Sequence, residues 1–246
     1  AGEASRNRVH LPVHDHGNRH HAGDKYQPGK DRAHDHVGDE EGDVLWSDQG
    51  GQQLLGAGHG VPGALMSVIG SIMLNEIVVV GKIHEPDKII KKLSSFLKKY
   101  INTNDNISRD GIELSLFVLN KDNGKLRYCG ANGKALIIKN NGELIDLKSS
   151  SLPVGYDPFD REYEDFEVME VAVETNDWII AFTDGYPDQL GFEFRKKYKI
   201  GLLKNNLSLW VHNESSVIEE NLKQSMKQWM ANTEQVDDML VFGAKL

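Results

Sequence analysis

Cysteine is almost absent from this sequence. Cys129 alone serves all 246 residues, which excludes an intramolecular disulfide and a cysteine-rich zinc site. Long apolar runs are missing too. Nothing approaches the roughly 18 consecutive apolar residues of a membrane-spanning helix, and no charged-then-apolar leader opens the chain. The expectation is a cytoplasmic protein, or the cytoplasmic domain of a larger sensor. Basic residues are outnumbered, 28 Lys plus Arg against 37 Asp plus Glu, for a formal net charge of -9. Such a chain lacks the clustered basic charge that grips a phosphate backbone, so nucleic acid is not expected as a partner.

Apolar side chains are scarce in one stretch only. Across residues 1–57, eight positions are Leu, Ile, Val or Phe, while seven of the ten histidines are found there. That is below the roughly 20% apolar content at which burial offsets ordering entropy. Residues 1–41 are therefore expected to be poorly ordered and His-rich, ahead of a domain over 42–246. His14-Asp15-His16 and His20-His21 could take Ni²⁺ or Zn²⁺, although a segment without a scaffold holds such ions poorly.

From Gly58 onward the apolar pattern becomes periodic. Val61 to about Val80 reads as a helix with Pro62 in its first turn, and Pro86–Ile101 as a second, with Ile89, Ile90, Leu93, Phe96, Leu97 and Ile101 apolar and the lysines opposite. The period then falls to 2. Glu113–Asn120, Lys125–Cys129, Ala135–Lys139 and Glu143–Leu147 read as strands, broken by Asp122-Asn123-Gly124 and Asn140-Asn141-Gly142, both of which end in the Asn-Gly hairpin signal. Glu167–Glu174 and Trp178–Thr183 read as a further pair, Ser215–Met230 as an amphipathic helix and Met239–Ala244 as a closing strand. This order predicts antiparallel sheet with helices packed outside it.

Three segments could carry chemistry. Gly58-His59-Gly60-Val61-Pro62-Gly63-Ala64 makes a low-bulk turn at a helix N-terminus, where exposed N–H groups suit an anion. Phe182-Thr183-Asp184-Gly185 puts a carboxylate directly after an apolar strand, a rigid mount for a hard cation. Asp237-Asp238 sets two like charges side by side, which costs energy unless a cation or basic group neutralises them. Taken singly, each also reads as an ordinary turn or acidic loop.

Taken together and in order, these segments resemble the catalytic domain of PPM-type (protein phosphatase 2C-like) serine/threonine phosphatases, in the branch related to the sporulation stage II protein E. The likeness runs from Gly58 to Leu246. It includes Gly58–Met66, Asp110-Gly111, Tyr128-Cys129-Gly130-Ala131-Asn132, Leu152-Pro153-Val154-Gly155, Phe182–Leu190 and Gln235–Gly243. The resemblance implies an α+β fold, an antiparallel β-sandwich with helices on both outer faces in α-β-β-α layers. It implies two Mn²⁺ or Mg²⁺ ions holding a water that attacks a phosphoserine or phosphothreonine in line. By the same resemblance, Asp184 and Asp237 are metal ligands with Asp238 beside them, Gly58 contributes a backbone carbonyl, and Asp43 is a candidate from the family's earlier Gly-Asp pair. His59, Gly60 and Gly185 support the motif. Asp184 and Asp237 should converge within roughly 10 Å if they share a two-metal site. Implied partners are a phosphorylated regulatory protein, of anti-anti-sigma type in this branch, and sensor or regulatory domains upstream.

The match departs from the pattern at one position of consequence. The family has an acid three residues before Gly-His-Gly, where this chain has Leu55, and leucine cannot ligate a cation. The short run before Gly58 also implies that the first strands of the fold are missing or altered. Two explanations stand: foreign sequence over 1–57, or a catalytically impaired phosphatase fold that acts as a regulatory interaction module. A histidine-rich metal-binding protein is a third reading.

Overall fold

The computed structural model describes residues 43–48, 61–101, 111–155, 166–193 and 195–246. The expected poorly ordered segment 1–41 lies outside them. In chain order the elements are β1 (Asp43–Asp48), α1 (Val61–Asn75) running into a π-helical turn (Glu76–Val80), α2 (Pro86–Ile101), β2 (Leu114–Asn120), β3 (Lys125–Ala131), β4 (Lys134–Ile138), β5 (Leu144–Leu147), β6 (Met169–Ala172), β7 (Trp178–Phe182), the short α3 (Gly185–Asp188), α4 (Ile200–Trp210), α5 (Ser215–Met230) and β8 (Val241–Lys245).

The strands form two antiparallel sheets, β1-β2-β3-β6 and β5-β4-β7-β8. Their period-2 alternation divides the apolar side chains among three cores. Phe117, Leu126, Tyr128, Ala135, Ile137, Ile179 and Ala181 meet between the sheets. Leu114, Leu116, Val118 and Cys129 face the other way, against Leu74, Ile89, Ile90, Leu93 and Leu97 of α1 and α2. Leu136, Ile138, Trp178, Ile180 and Phe182 pack on Leu203 and Leu207 of α4 and on Ile218, Leu222 and Met226 of α5. The expected α-β-β-α layering is the observed one.

The two Asn-Gly joints turn as their chemistry requires. Gly124 and Gly142 adopt φ values of +63° and +85°, which glycine reaches without a Cβ penalty. At the first, the Asn120 side-chain oxygen accepts the N–H groups of Asp122 (3.0 Å) and Asn123 (3.2 Å).

Two expectations need correcting, and two elements were not placed from the sequence. The helix expected to run to Val80 changes to π geometry at Glu76, where Gly81 N–H reaches back to Glu76 C=O at 2.9 Å. Four successive β-branched residues, Ile77 to Val80, crowd the preceding turn at χ1 and favour the wider winding. The pair expected from Glu167–Glu174 and Trp178–Thr183 does not form. Strand β6 joins β3 in one sheet, and β7 joins β4 and β8 in the other. The intervening turn corners between sheets because the Asp177 carboxylate accepts bonds from Glu174 N–H on one side and from Lys139 and Asn140 on the other. Helix α4 is an element that the strand-to-helix order did not place. Its start has no side-chain cap, and Lys199 before it sits at φ +73°, so the usual N-terminal signal is missing. Strand β1 is the other such element. It forms within a stretch poor in apolar residues and pairs in register with β2, Asp43 opposite Leu119 through Asp48 opposite Leu114.

Candidate functional site

Asp184 stands immediately past β7, whose five residues are all buried. Thr183 closes that strand onto the acidic segment. Its N–H donates to Leu240 C=O at 3.0 Å, its hydroxyl donates to Asp238 C=O at 2.8 Å, and Leu240 N–H donates back to the hydroxyl oxygen at 2.9 Å. Gly185 makes the approach possible. A Cβ there would lie 2.2 Å from the Asp238 carbonyl oxygen and 3.2 Å from the Asp237 carbonyl carbon, so only glycine fits between the two acidic stretches. The order Thr-Asp-Gly thus brings the backbone on either side of Asp184 against the Asp237–Leu240 backbone.

The acidic segment is buttressed from behind. The buried Gln189 donates from Nε2 to Leu190 C=O (3.1 Å) and Glu234 C=O (2.9 Å) and accepts Val236 N–H (3.1 Å). Trp229 Nε1 donates to the Gln189 carbonyl at 3.1 Å. Asp237 and Asp238 lie in the loop before β8, not at the head of the strand as the apolar pattern suggested. Asp237 is exposed and accepts Asp238 N–H at 2.7 Å. Burial, with the Asp237 charge next to it, pushes the Asp238 carboxyl above the usual carboxylate range.

Sequence reasoning missed Glu113, the fourth acid at this rim. It precedes β2, and Asn132 Nδ2 donates to its carboxylate. Asn132 follows β3 at φ +53°, a left-handed position that asparagine tolerates. Partial burial pushes the Glu113 carboxyl up, and the charges of Asp184 and Asp237 add to the rise against the pull of Asn132 and Lys134. Glu113 therefore feels both acidic segments at once. Lys134, at the head of β4 and opposite Phe182 in the ladder, brings Nζ to 3.4 Å from Asp184 Oδ2. The signal was present in Asp110-Gly111-Ile112-Glu113, where the alternation marked a strand and drew attention from the acid.

Asp43 is placed differently. Its register opposite Leu119 puts it five residues from the Leu114 end of the β1–β2 pair, about 17 Å along the strand; Asp48 is the acid at the near end. Gly58, His59, Gly60 and Leu55 lie outside the described residues.

The donor set suits a hard divalent cation. It consists of carboxylate oxygens with surplus negative charge; burial first, then the charge of neighbouring aspartates, holds Glu113 and Asp238 above the normal carboxyl range. Among the described residues, no three His, Cys, Asp or Glu side chains are grouped closely enough to hold one ion. The acids at this rim thus form no closed cage among the described residues. Among the described residues, no helix is long and apolar enough to cross a membrane.

Comparison with known proteins agrees with this architecture. The SiaA-PP2C domain of Pseudomonas aeruginosa superimposes with a TM-score of 0.71 at 17% identity, over 86% of this chain and 78% of that one. The phosphatase domain of SpoIIE from Bacillus subtilis, solved with a fragment of its regulatory domain, gives 0.60 at 16% identity, over 83% of this chain and 54% of that one. A structure described as RsbX in complex with magnesium gives 0.52 at 15% identity, over 86% and 85%. No curated protein matches the sequence. The family model for stage II sporulation protein E matches residues 56–246. With its two-sheet, helix-flanked fold and that match, the chain belongs to the SpoIIE family of PPM-type phosphatase domains.

Proposed function

We propose that this chain is a metal-dependent protein serine/threonine phosphatase acting on a phosphorylated regulatory protein. The observation that carries the reading is the convergence of Asp184 and Asp237-Asp238 through Thr183 and Gly185, with Glu113 coupled to both. Asp184 and Asp237 would hold Mn²⁺ or Mg²⁺ with Asp238 beside them, and Gly58 would add its carbonyl. When bound, such ions supply a polarised water nucleophile and offset charge on the phosphoryl oxygens. The chain's own part is to hold the carboxylates in place: Thr183 and Gln189 fix the backbone of the acidic segment, and Asn132 orients Glu113. Asp43 is a further candidate ligand by resemblance, although its register sets it apart from Glu113. The magnesium complex of a structural neighbour supports this choice of ion. A neighbour solved with part of its regulatory domain supports a sensor or regulatory region upstream.

Leu55 favours a second reading, a catalytically impaired phosphatase fold that binds phosphoprotein without hydrolysing it. Hydrolysis of p-nitrophenyl phosphate with and without Mn²⁺ separates the two. Mn²⁺-dependent turnover that is lost in Asp184→Asn is the outcome expected of the enzyme. A folded parent that shows no turnover at any Mn²⁺ concentration would support the binding module instead.

A further inference from the structure

The Lys134–Asp184 pair is unusual for a carboxylate proposed as a metal ligand. Lys134 is anchored on β4 directly across the ladder from Phe182, two residues before Asp184, so its reach to that carboxylate is set by the sheet. Its Nζ lies 3.4 Å from Asp184 Oδ2, longer than the roughly 2.7–2.9 Å of a tight charge-assisted hydrogen bond. The two side chains are 36% and 37% exposed, so water can replace either partner. Lys134 also acts electrostatically on Glu113, the acid that senses both Asp184 and Asp237. A single tethered ammonium thus acts on carboxylates from two separate stretches of chain, Asp184 and Glu113.

We propose that Lys134 is the built-in counter-charge of this acidic rim, neutralising Asp184 while no divalent ion is bound and competing with that ion for the same carboxylate. The inference rests on the phosphatase reading, because it takes Asp184 as a ligand. Its physical content is a trade. The ammonium relieves repulsion among Glu113, Asp184 and Asp237 in the metal-free chain. An incoming divalent cation must displace it and then sit close to its positive charge. Lys134 is therefore a positioning residue that sets the metal concentration at which the site fills, and a purely structural lysine would have no such effect.

The test is a calorimetric Mn²⁺ titration of the full chain and of two variants, with thermal melts of the metal-free proteins. Lys134→Gln should bind Mn²⁺ about tenfold more tightly, since a unit charge a few ångströms away in a partly solvated site is worth roughly that factor, while its metal-free form melts below the parent. Lys134→Arg should bind Mn²⁺ about threefold more weakly than the parent, because a guanidinium pairs with a carboxylate in a bidentate fork and is harder to displace. The Arg variant keeps the inference falsifiable if the Gln variant fails to fold. Unchanged or weaker Mn²⁺ binding in Lys134→Gln, or parent-like binding in Lys134→Arg, overturns the role of Lys134 and leaves the phosphatase reading standing. A folded parent that binds no Mn²⁺ overturns both.

Discussion

Replacing Asp177 by alanine should cost more stability than any other single change at an acidic residue among those described. Asp177 is 1% exposed, yet it is ionised, because three donors converge on it. Lys139 Nζ reaches Oδ2 at 2.5 Å, Glu174 N–H reaches the same oxygen at 2.8 Å, and Asn140 N–H reaches Oδ1 at 2.8 Å. Lys139 is itself only 18% exposed. Alanine removes every acceptor at once and leaves two backbone N–H groups and a half-buried ammonium short of partners, although Lys139 keeps its 3.1 Å bond to Ala172 C=O. Breaking a buried pair by removing one member costs about 3–5 kcal/mol, and hydrogen bonds to a charged group contribute about 1.5–3 kcal/mol each, not additively. The expected loss is about 4 kcal/mol, or a fall of about 8–16 °C in melting temperature for a domain of this size. Asparagine should recover only part of this, since its amide turns N–H groups toward Lys139 and Glu174 N–H.

The pH dependence follows from the same donors. Burial alone would raise the Asp177 carboxyl, but the bonds from Lys139, Glu174 N–H and Asn140 N–H outweigh it and hold the carboxyl below its ordinary value. A group depressed in the folded state gives stability that is present above its unfolded pKa, about 3.9, and is lost as pH falls through the lower folded value. The stability difference between parent and Asp177→Ala should therefore be constant near neutrality and shrink below about pH 4. Urea denaturation followed by tryptophan fluorescence measures it, with buried Trp178 next in sequence as a reporter. An alanine variant within about 1 kcal/mol of the parent at pH 7 would show that the three donors find water or other partners, and would refute the reasoning.

Gly185→Ala should push the Asp237-Asp238 backbone away from β7, because its methyl group would meet the Asp238 carbonyl oxygen at 2.2 Å; at least a tenfold loss of Mn²⁺ affinity with a retained fold is expected, and parent-like titration would count against it. Burial, aided by Asp87, pushes the Cys129 thiol up to about 12, so a thiol reagent at pH 8 should modify it only on unfolding, and fast labelling of the native protein would contradict its placement. Position 55 matches a family ligand position by resemblance alone, so Leu55→Asp should tighten Mn²⁺ binding about tenfold only if a strand forms before Gly58, with unchanged calorimetric affinity as the result that counts against such a strand.

Local chemistry alone determined a good deal of this protein. The Asn-Gly joints, the apolar stripe of α2 and the alternation in β2, β3, β4 and β7 come from backbone sterics and side-chain period, which act over a few residues. The Thr-Asp-Gly and Asp-Asp segments carried the family likeness and were legible for the same reason. What needed the tertiary structure was pairing across distance. Period 2 gives a strand its two faces but no partner, so β6 and β7 read as a hairpin until Asp177 is seen cornering the chain from one sheet to the other. Glu113 gained its role only when Asn132 and the charges of Asp184 and Asp237 came up to it, 19 to 124 positions away in sequence. Electrostatic coupling depends on separation in space, and that separation is decided by strand order.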